Sequence, residues 1–458
     1  MTDPKREAPT RKPANFASGT IWTGDNLPIM RGMNSESVDL IYLDPPFNSN
    51  KNYSAPIGSE AAGAAFKDTW TLSDIDVHEH GELADRNPAA YSVIEASRQA
   101  HGKGMMSYLI FMAVRLLEMK RILKPTGSIY LHCDPTASHY LKLLLDGIFE
   151  RANFRNEIVW KRTSGHSDSK TMGSVHDVIL HQSISDALTY NVQYVAYSKE
   201  YVKRRYRHQD PDGRRFMDGD LTAKGLQSGG YVYEYRGTTA EWRVPFEKMK
   251  ELDRENRLYF TNRGGIRIKR YLDEMKGVPI NDVWTDIDPI NSRARERIGY
   301  PTQKPLALLE RIIRASSNIG DMVFDPFCGC ATTLVAADRL QRQWAGIDLS
   351  PLAIKLVNER ISEDRGLFGG ATSLNTAPVR TDLGKLPNYR THRHRLYGEQ
   401  EGVCTGCETH FPFRVMDVDH ILPKSRGGTD HPDNLQLLCS GCNRSKGGKT
   451  MAEWRSVQ

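Results

Sequence analysis

The tetrapeptide Asp44-Pro45-Pro46-Phe47 directly follows a largely apolar run, residues 38–43. A strand that ends in this way brings a carboxylate, a rigid carbonyl and an aromatic face around one small target. The two prolines fix φ and remove two backbone donors, which leaves carbonyl oxygens free to accept hydrogen bonds. Such a group can hold a planar base by its exocyclic amine while the amino nitrogen is alkylated. A strand followed by a proline turn, with Phe47 merely packed, is the structural alternative.

A second strand, a tight turn and a helix are predicted within residues 321–333, and the helix begins near Ala331. Gly329 in the turn allows the backbone to approach a ligand closely. Residues 344–348 form another predicted buried strand, which ends in Asp348. A carboxylate in that place can accept from both ribose hydroxyls of a nucleoside. Turn, spacing and acid together predict a nucleoside cofactor site.

These segments resemble the amino-methyltransferases of DNA that use S-adenosylmethionine, over most of residues 16–363. The likeness is to their permuted, beta class, in which the catalytic motif precedes the cofactor loop. Residues 44–47 match the catalytic motif, and residues 325–331 match the loop Asp-Pro-Phe-x-Gly-x-Gly. Residues 300–305 match the cofactor-side motif, and residues 24–27 match a segment whose acid contacts the adenine of the cofactor. Ala331 stands where the family usually has glycine, so we expect altered cofactor packing there.

The resemblance implies an α/β fold, a doubly wound sheet permuted in chain order, and two groups of site residues. The target base would be flipped out of the duplex. The catalytic residues that act on it would be Asp44, Pro45, Pro46 and Phe47. The cofactor would be bound by Asp25, Asn26, Thr302, Lys304, Asp325, Phe327, Gly329 and Asp348. Family members with Asp at the first motif position more often methylate N6 of adenine. Adenine is therefore favoured, and N4 of cytosine is the alternative.

Several elements must position these motifs. Helices are predicted over residues 107–123, 137–149 and 352–361 from their apolar periodicity, and a further strand over residues 123–134. Residues 48–104 are rich in glycine, alanine and polar side chains, which predicts a long covering loop with short helices. That loop either pads the fold or closes over a flipped base.

Residues 161–290 are the predicted target-recognition region. Cations and aromatics alternate in two runs, residues 199–216 and 263–271. Phosphate contacts need cations, and stacking on an exposed base needs rings. The formal charge of +6 and the isoelectric point near 8.8 agree with double-stranded DNA as the partner, although a solvated charged surface would look similar.

The tail carries the cysteine pairs Cys404-x-x-Cys407 and Cys439-x-x-Cys442 after a predicted linker, residues 364–388. Two such pairs predict a four-thiolate structural zinc site that a small domain needs in order to fold. A disulfide alternative fits poorly with the reducing, cytoplasmic location that we expect. Residues 1–15 are expected to be disordered. No apolar run is long enough to span a membrane, so no membrane partner is expected.

The residues between and after these cysteine pairs resemble the HNH nuclease module, a ββα-metal finger, and the predicted domain spans residues 389–458. The resemblance implies that His420 is the general base and that Asp419 and Asn443 hold Mg²⁺ or a similar hard cation. Asn434 would brace the loop that carries His420. The DNA backbone would be gripped by Lys424, Arg426, Arg444 and Lys446.

Three interpretations of the whole chain remain. It methylates and cuts DNA, as in restriction–modification; or it methylates DNA and the finger only binds; or it is a nuclease whose methyltransferase half is inactive. The residues Asp419, His420 and Asn443 favour the first interpretation. Only Ala331 favours the third.

Overall fold

The computed structural model describes residues 14–46, 51–54, 65–68, 83, 86–164, 172–223, 229–291, 293–294, 296–300, 302–365, 370–383 and 388–456. Phe47 and most of the N terminus predicted to be disordered lie outside these residues. The chain forms two compact units, Met1–Asn191 with Asp282–Gln458, and Val192–Asn281.

A nine-stranded, mostly parallel sheet organises the larger unit. With strands numbered in chain order, their spatial order is β16 (Val283–Trp284), β6 (Phe154–Lys161), β7 (His176–Ser183), β5 (Leu123–Cys133), β2 (Val38–Leu43), β17 (Met322–Asp325), β18 (Gln343–Asp348), β1 (Thr20–Thr23) and β19 (Thr372–Leu374). Only β7 runs antiparallel to its neighbours in this sheet. The predicted α/β class with a large, mainly parallel sheet is confirmed. Strands from the start, middle and end of this unit lie side by side, so the order in space departs from the order in sequence.

Helices pack around this sheet. They are α1 (Asn26–Gly32), α2 (Pro88–His101), α3 (Lys103–Ile122), α4 (Ser138–Phe149), α7 (Leu306–Ser316), α8 (Thr332–Arg339) and α9 (Pro351–Arg365). Helix α3 is buried on most of its surface, and includes the charged residues Arg115 and Glu118. Both are ion-paired, which is how a charge is tolerated inside a core.

Residues 48–104, predicted as a long covering loop with short helices, contain a helix of 14 residues, α2 (Pro88–His101), which is longer than predicted. Asn87 caps this helix by accepting from the amide of Ala90 at 2.9 Å. The buried positions of α2 are Ala90, Ile94 and Ser97, and two of these side chains are small. The apolar periodicity that would predict this helix is therefore weak in the sequence. Two short strands, β3 (Lys51–Ser54) and β4 (Ala65–Asp68), pair antiparallel in the first half.

Within the predicted linker, residues 364–388, the described residues 370–383 contact the large sheet and the segment after α1. Strand β19 pairs with β1 at the sheet edge, and all three of its side chains are exposed, which is why no apolar pattern marked it. Further on, the amide of Thr381 donates to Asn34 at 2.9 Å. A Cβ on Gly32 would lie 2.0 Å from the carbonyl oxygen of Pro378, so only glycine allows this close approach.

The smaller unit, Val192–Asn281, has its own core around Trp242, Met249 and Ile266. Its elements are β8 (Tyr194–Val195), α5 (Lys199–Arg205), β9 (His208–Gln209), β10 (Arg215–Asp220), β11 (Tyr231–Tyr235), β12 (Thr238–Trp242), α6 (Phe246–Arg254), β13 (Leu258–Phe260), β14 (Ile266–Tyr271) and β15 (Val278–Pro279). Strands β13, β14, β10 and β9 form a four-stranded antiparallel sheet, and β11 and β12 form a hairpin.

The tail, residues 388–456, forms a ββα arrangement with a small core around Met416 and Leu437. Its elements are α10 (Arg393–Glu399), β20 (Met416–His420), β21 (Leu435–Cys439), α11 (Ser440–Lys446) and α12 (Met451–Arg455). Among all described residues, no helix has the length and apolar character needed to cross a membrane.

Candidate functional site

Three acids lie at the carboxyl ends of adjacent parallel strands. Asp44 follows β2, Asp325 ends β17 and Asp348 ends β18. These strands are neighbours in the order β2, β17, β18. Because parallel strands present their carboxyl ends at one edge of a sheet, the three carboxylates share that edge. Ligands of open α/β sheets bind at this edge.

Within the described residues, Asp44 is engaged through one of its two oxygens. Oδ2 forms an ion pair with the ammonium of Lys304. Oδ1 is buried, and among the described residues it has no hydrogen-bond partner. A buried acceptor without a donor costs free energy, so such an atom in a folded protein is a candidate contact for a ligand.

The glycine turn lies against the other two acids. The amide of Gly329 donates to Oδ2 of Asp348 at 2.8 Å, and the amide of Ser350 donates to Oδ1 at 2.8 Å. The backbone at Gly329 is left-handed, with φ of 48°, and an added Cβ would lie 3.3 Å from the ring of Tyr300. The turn therefore needs glycine at this position, as the sequence indicated.

Burial raises the pKa of Asp325 to about 7. A hydrogen bond from Thr333 and the amide of Phe327 oppose this rise, while the negative charges of Asp44 and Asp348 add to it. Burial also raises the pKa of Asp348, against the hydrogen bonds from Ser350 and Gly329. A cluster of this kind favours a cationic ligand, whose charge would offset the mutual repulsion.

Asp25 and Asn26 are both bound by Arg115, a residue whose role the sequence did not indicate. The Arg115 guanidinium donates to Asp25 at 2.8 Å and to Asn26 at 2.7 Å. Asn26 in turn donates to the carbonyl of Pro326 at 2.9 Å. Arg115 also lies 3.5 Å from the centre of the Phe111 ring. An arginine inside the apolar stretch of residues 108–117 was the signal that could have identified it.

A buried polar chain next to Asp44 was also missed by sequence reasoning. The hydroxyl of Tyr42 is 2.8 Å from Nδ1 of His132, and Nε2 of His132 is 3.1 Å from Asp177. Burial, and then the charge of Asp44 two residues further on, raise the pKa of Tyr42. Burial would raise the pKa of Asp177, but the hydrogen bond and charge of His132, with Arg162 and Lys304, leave it lowered. The chain links β2, β5 and β7 close to the catalytic motif.

The tail brings four thiols together. The sulfur atoms of Cys404, Cys407, Cys439 and Cys442 all lie within 4.8 Å of one another. The amide of Cys439 points at the sulfur of Cys404 at 3.2 Å, which stabilises a thiolate. Four thiolates around Zn²⁺ at about 2.3 Å lie roughly 3.8 Å apart, so this cluster fits the predicted ion.

His420 ends β20 and is held by an acid that the sequence reasoning did not single out. Nε2 of His420 is 2.7 Å from Oδ1 of Asp430, and Lys424 donates to the other oxygen of Asp430 at 2.8 Å. Asn434 accepts from the amide of Leu422 at 2.8 Å and donates to its carbonyl at 3.0 Å. It therefore braces the segment after His420.

Asp419 is paired with Lys446, and this corrects one prediction. The ammonium of Lys446 is 2.9 Å from Oδ2 of Asp419 and donates to the carbonyl of His420 at 2.8 Å. Lys446 is 1% exposed, so it cannot grip DNA. It is buried because two acceptors inside the module satisfy its charge. Arg426 is also engaged internally, with Glu453 at 2.6 Å. Oδ2 of Asp419 also accepts from Gln436 at 2.8 Å. Binding of a hard cation by Asp419 and Asn443 stays a prediction.

Family models match both parts of the chain. Residues 38–359 match the model described as DNA methylase. This chain belongs to the DNA methylase family. Residues 404–449 match the HNH endonuclease family, so the methylase carries a C-terminal HNH domain.

Curated relatives of this methylase include the Type II methyltransferase M.EcaI of Enterobacter cloacae. It is 31% identical over 363 residues, which are 78% of this chain and 72% of the relative. The Mod subunit of the type III restriction-modification enzyme StyLTI from Salmonella typhimurium is 29% identical over 71% of this chain, but the match spans 50% of that protein. The DNA adenine methyltransferase YhdJ of Escherichia coli K12 is 25% identical over 75% of this chain and 82% of its own length.

The smaller unit of the methylase uses some of its predicted DNA-contacting cations internally. Lys269 is buried and pairs with Asp210 at 2.8 Å, and Arg214 pairs with Asp273 at 2.8 Å. The aromatics Tyr206, Phe216 and Tyr271 are buried as well. Other cations of the two runs are exposed, and no acidic partner lies beside them in the described part of the chain. They are Lys199, Lys203, Arg204, Arg205, Arg207, Arg215, Arg263 and Arg270.

Proposed function

We propose that this chain is a site-specific DNA methyltransferase that transfers a methyl group from S-adenosylmethionine to N6 of adenine in double-stranded DNA. The observation that carries the proposal is the buried Oδ1 of Asp44 at the carboxyl edge of the sheet, which has no hydrogen-bond partner within the described part of the chain. The name of the relative YhdJ, a DNA adenine methyltransferase, supports adenine. N4 of cytosine is the alternative target.

The residues at this edge fit S-adenosylmethionine. Asp348 has a spare lone pair on each oxygen for ribose hydroxyls, since each oxygen accepts one amide. Asp325 is a buried carboxylate whose repulsion with Asp44 a sulfonium charge would relieve. Gly329, Phe327, Asp25, Asn26 and Thr302 are the other proposed cofactor-binding residues. The cofactor, when bound, supplies an electrophilic methyl group.

The chain itself would orient the amine. Oδ1 of Asp44 accepts from one N–H of the target, and the carbonyl of Pro45 accepts from the other. Both contacts draw the nitrogen lone pair out of conjugation with the ring and aim it at the methyl donor. Catalysis then rests on positioning and on fixed charges. The target base must leave the duplex to reach these groups.

Mass spectrometry of nucleosides tests this proposal. DNA incubated with the full-length protein and S-adenosylmethionine is digested and compared with DNA incubated without the cofactor. N6-methyladenine is the expected product. N4-methylcytosine would move the assignment to the alternative target, and the absence of any methylated base across varied duplexes would contradict it.

We further propose that residues 16–363 form the methyltransferase domain, with target recognition in 161–290, and that residues 389–458 form a zinc-stapled nuclease. His420 would take the proton of the attacking water, with Nε2 fixed by Asp430. Asp419 and Asn443 would hold a divalent ion, which supplies Lewis-acid activation of the phosphate. A module that only binds DNA is the alternative.

A plasmid nicking assay with Mg²⁺ distinguishes a tail that cleaves DNA from a tail that only binds DNA. The wild type should nick supercoiled DNA, and His420→Ala should not. One zinc ion per chain, measured by elemental analysis in both proteins, controls for folding of the tail. Equal nicking by both proteins would remove His420 as the base, and no nicking by the wild type would favour the binding role.

A further inference from the structure

We propose that Lys304 is a positioning residue for Asp44, and not the cofactor ligand that the sequence predicted. This inference rests on the proposed methyl transfer and adds a residue to it. Lys304 orients the carboxylate by binding one oxygen, so that the other oxygen is presented to the amine.

The ion pair between Lys304 and Asp44 is well shielded from water. The side chains of Lys304 and Asp44 are 10% and 14% exposed. Because Oδ2 is bound to the ammonium, rotation of the carboxylate is restricted and Oδ1 keeps one direction. When one partner of a buried ion pair is removed, the remaining charge is left uncompensated and no longer has a fixed position.

The backbone around Lys304 is fixed on both sides. Gln303 accepts from the amide of Ile298 at 3.0 Å and donates to the carbonyl of Glu296. The carboxylate of Glu296 accepts from the amide of Leu306, the first residue of α7, at 3.0 Å. The residues before and after Lys304 are thus tied to one short segment. A lysine held in this way can act as a rigid counter-ion, although its side chain is long.

The surrounding charges explain why a counter-ion is needed. Asp44 lies at the same edge as Asp325 and Asp348, and its negative charge contributes to the raised pKa of Asp325. The charge of Lys304 also acts on Asp177, whose pKa it helps to lower. Without Lys304, the Asp44 carboxylate would lose its positive partner beside two other carboxylates and would reorient.

The same strand offers a matched control. Lys124 pairs with Asp39 at 2.6 Å, and these side chains are 18% and 13% exposed. Asp39 is the second residue of β2, so the control pair lies at the opposite end of the strand from Asp44. Lys124→Met removes a Lys–Asp pair of similar burial without touching the proposed site.

The test compares the wild type with Lys304→Met, Lys304→Arg and Lys124→Met, all as full-length protein. The DNA substrate is a duplex whose methylated site has been mapped in cells that express the wild type. Steady-state kinetics give kcat and the KM for DNA, and calorimetry gives the Kd for S-adenosylmethionine.

Lys304→Met should lower kcat by about 100- to 1,000-fold, the range found when one fixed charge or donor is lost from an active site. Its Kd for S-adenosylmethionine should stay within about threefold of the wild-type Kd, well below the roughly tenfold change expected when a ligand contact is lost. Lys304→Arg should recover part of the rate because it keeps the charge. Lys124→Met should keep the wild-type rate.

Three results would overturn the inference. A cofactor Kd raised tenfold or more with a preserved kcat would make Lys304 a cofactor ligand. Equal losses in Lys304→Met and Lys124→Met would indicate a structural role alone, and an unchanged kcat in Lys304→Met would exclude any role. An inactive wild type is a separate result, since it contradicts the proposed function itself and the inference with it.

Discussion

At the scale of single residues, the fully buried Asp325 has the most distinctive electrostatic environment of the site. Its pKa is raised to about 7 by burial and by the neighbouring carboxylates of Asp44 and Asp348. In the unfolded chain an aspartate titrates near 3.9. Between these two values the folded protein retains a proton that the unfolded chain has lost. Unfolding therefore releases a proton, and stability falls as pH rises through this window.

We predict that Asp325→Asn stabilises the protein without cofactor at pH 8 but not at pH 4. The gain should grow between about pH 4 and pH 7 and then level off, with an upper limit of about 4 kcal/mol at roughly 1.4 kcal/mol per pKa unit. Thermal denaturation of both proteins across this range measures it. A difference between the two melting temperatures that does not change with pH would contradict the assignment.

The motifs and the resemblance singled out Asp44, Asp325 and Asp348, which follow or end adjacent strands, but did not indicate how these acids are paired. Asp44 and Lys304 are 260 positions apart, so no local pattern could join them. The same holds for Lys446 and Asp419, where a lysine expected on the surface is buried. Asp430 was also missed, because its partner His420 is recognised by motif while Asp430 is not.

At the scale of elements, the turn before α8 depends on a residue in an unusual conformation. Ala331 has φ of 62°, in the left-handed region, and is fully buried. A side chain there costs about 1 kcal/mol relative to glycine. The alanine thus adopts the backbone conformation suited to the family's glycine. The left-handed turn is therefore present although its residue is alanine.

We predict that Ala331→Gly raises stability by about 1 kcal/mol, because glycine adopts this conformation without strain. The matched control is Ala336→Gly within α8, which should lower stability by a similar amount or more. Urea denaturation gives both values. If Ala331→Gly destabilised the protein as Ala336→Gly does, strain at the turn would be disproved.

Elements with a strong apolar pattern were predictable, and others were not. Strands β2, β17 and β18 are largely apolar runs that end in an acid or directly before one, and β5 is apolar from Ile129 to Leu131. Buried parallel strands produce that pattern. Helix α2 buries small residues, and β19 exposes every side chain, so neither gave a periodic signal. Their positions follow from contacts with distant parts of the chain.

At the scale of the whole molecule, methyl transfer requires DNA to be held, and we propose that exposed cations of the smaller unit contribute to this. Arg204 and Arg205 lie in the last turn of α5 and are exposed. Arg214 is instead paired with Asp273 and Glu274. Cations that are already neutralised release few counterions on binding DNA, so only the unpaired ones should affect its salt dependence.

We predict that replacing Arg204 and Arg205 together by alanine weakens DNA binding and lowers the slope of log K against log salt by up to about 1.8, or 0.9 for each phosphate contact. Arg214→Ala should leave the slope unchanged, since its charge is neutralised within the unit. Fluorescence anisotropy with a labelled duplex at several salt concentrations measures both. Unchanged affinity and slope in the double variant would exclude these two arginines from the interface.

The most direct measurement is the rate of methyl transfer by Asp44→Ala, with cofactor affinity measured on the same preparation. We predict that transfer of a labelled methyl group to DNA falls at least about 1,000-fold, because the variant loses its main contact to the amine. The affinity for S-adenosylmethionine should remain near the wild-type value. Methylation by Asp44→Ala at the wild-type rate would contradict the proposed site.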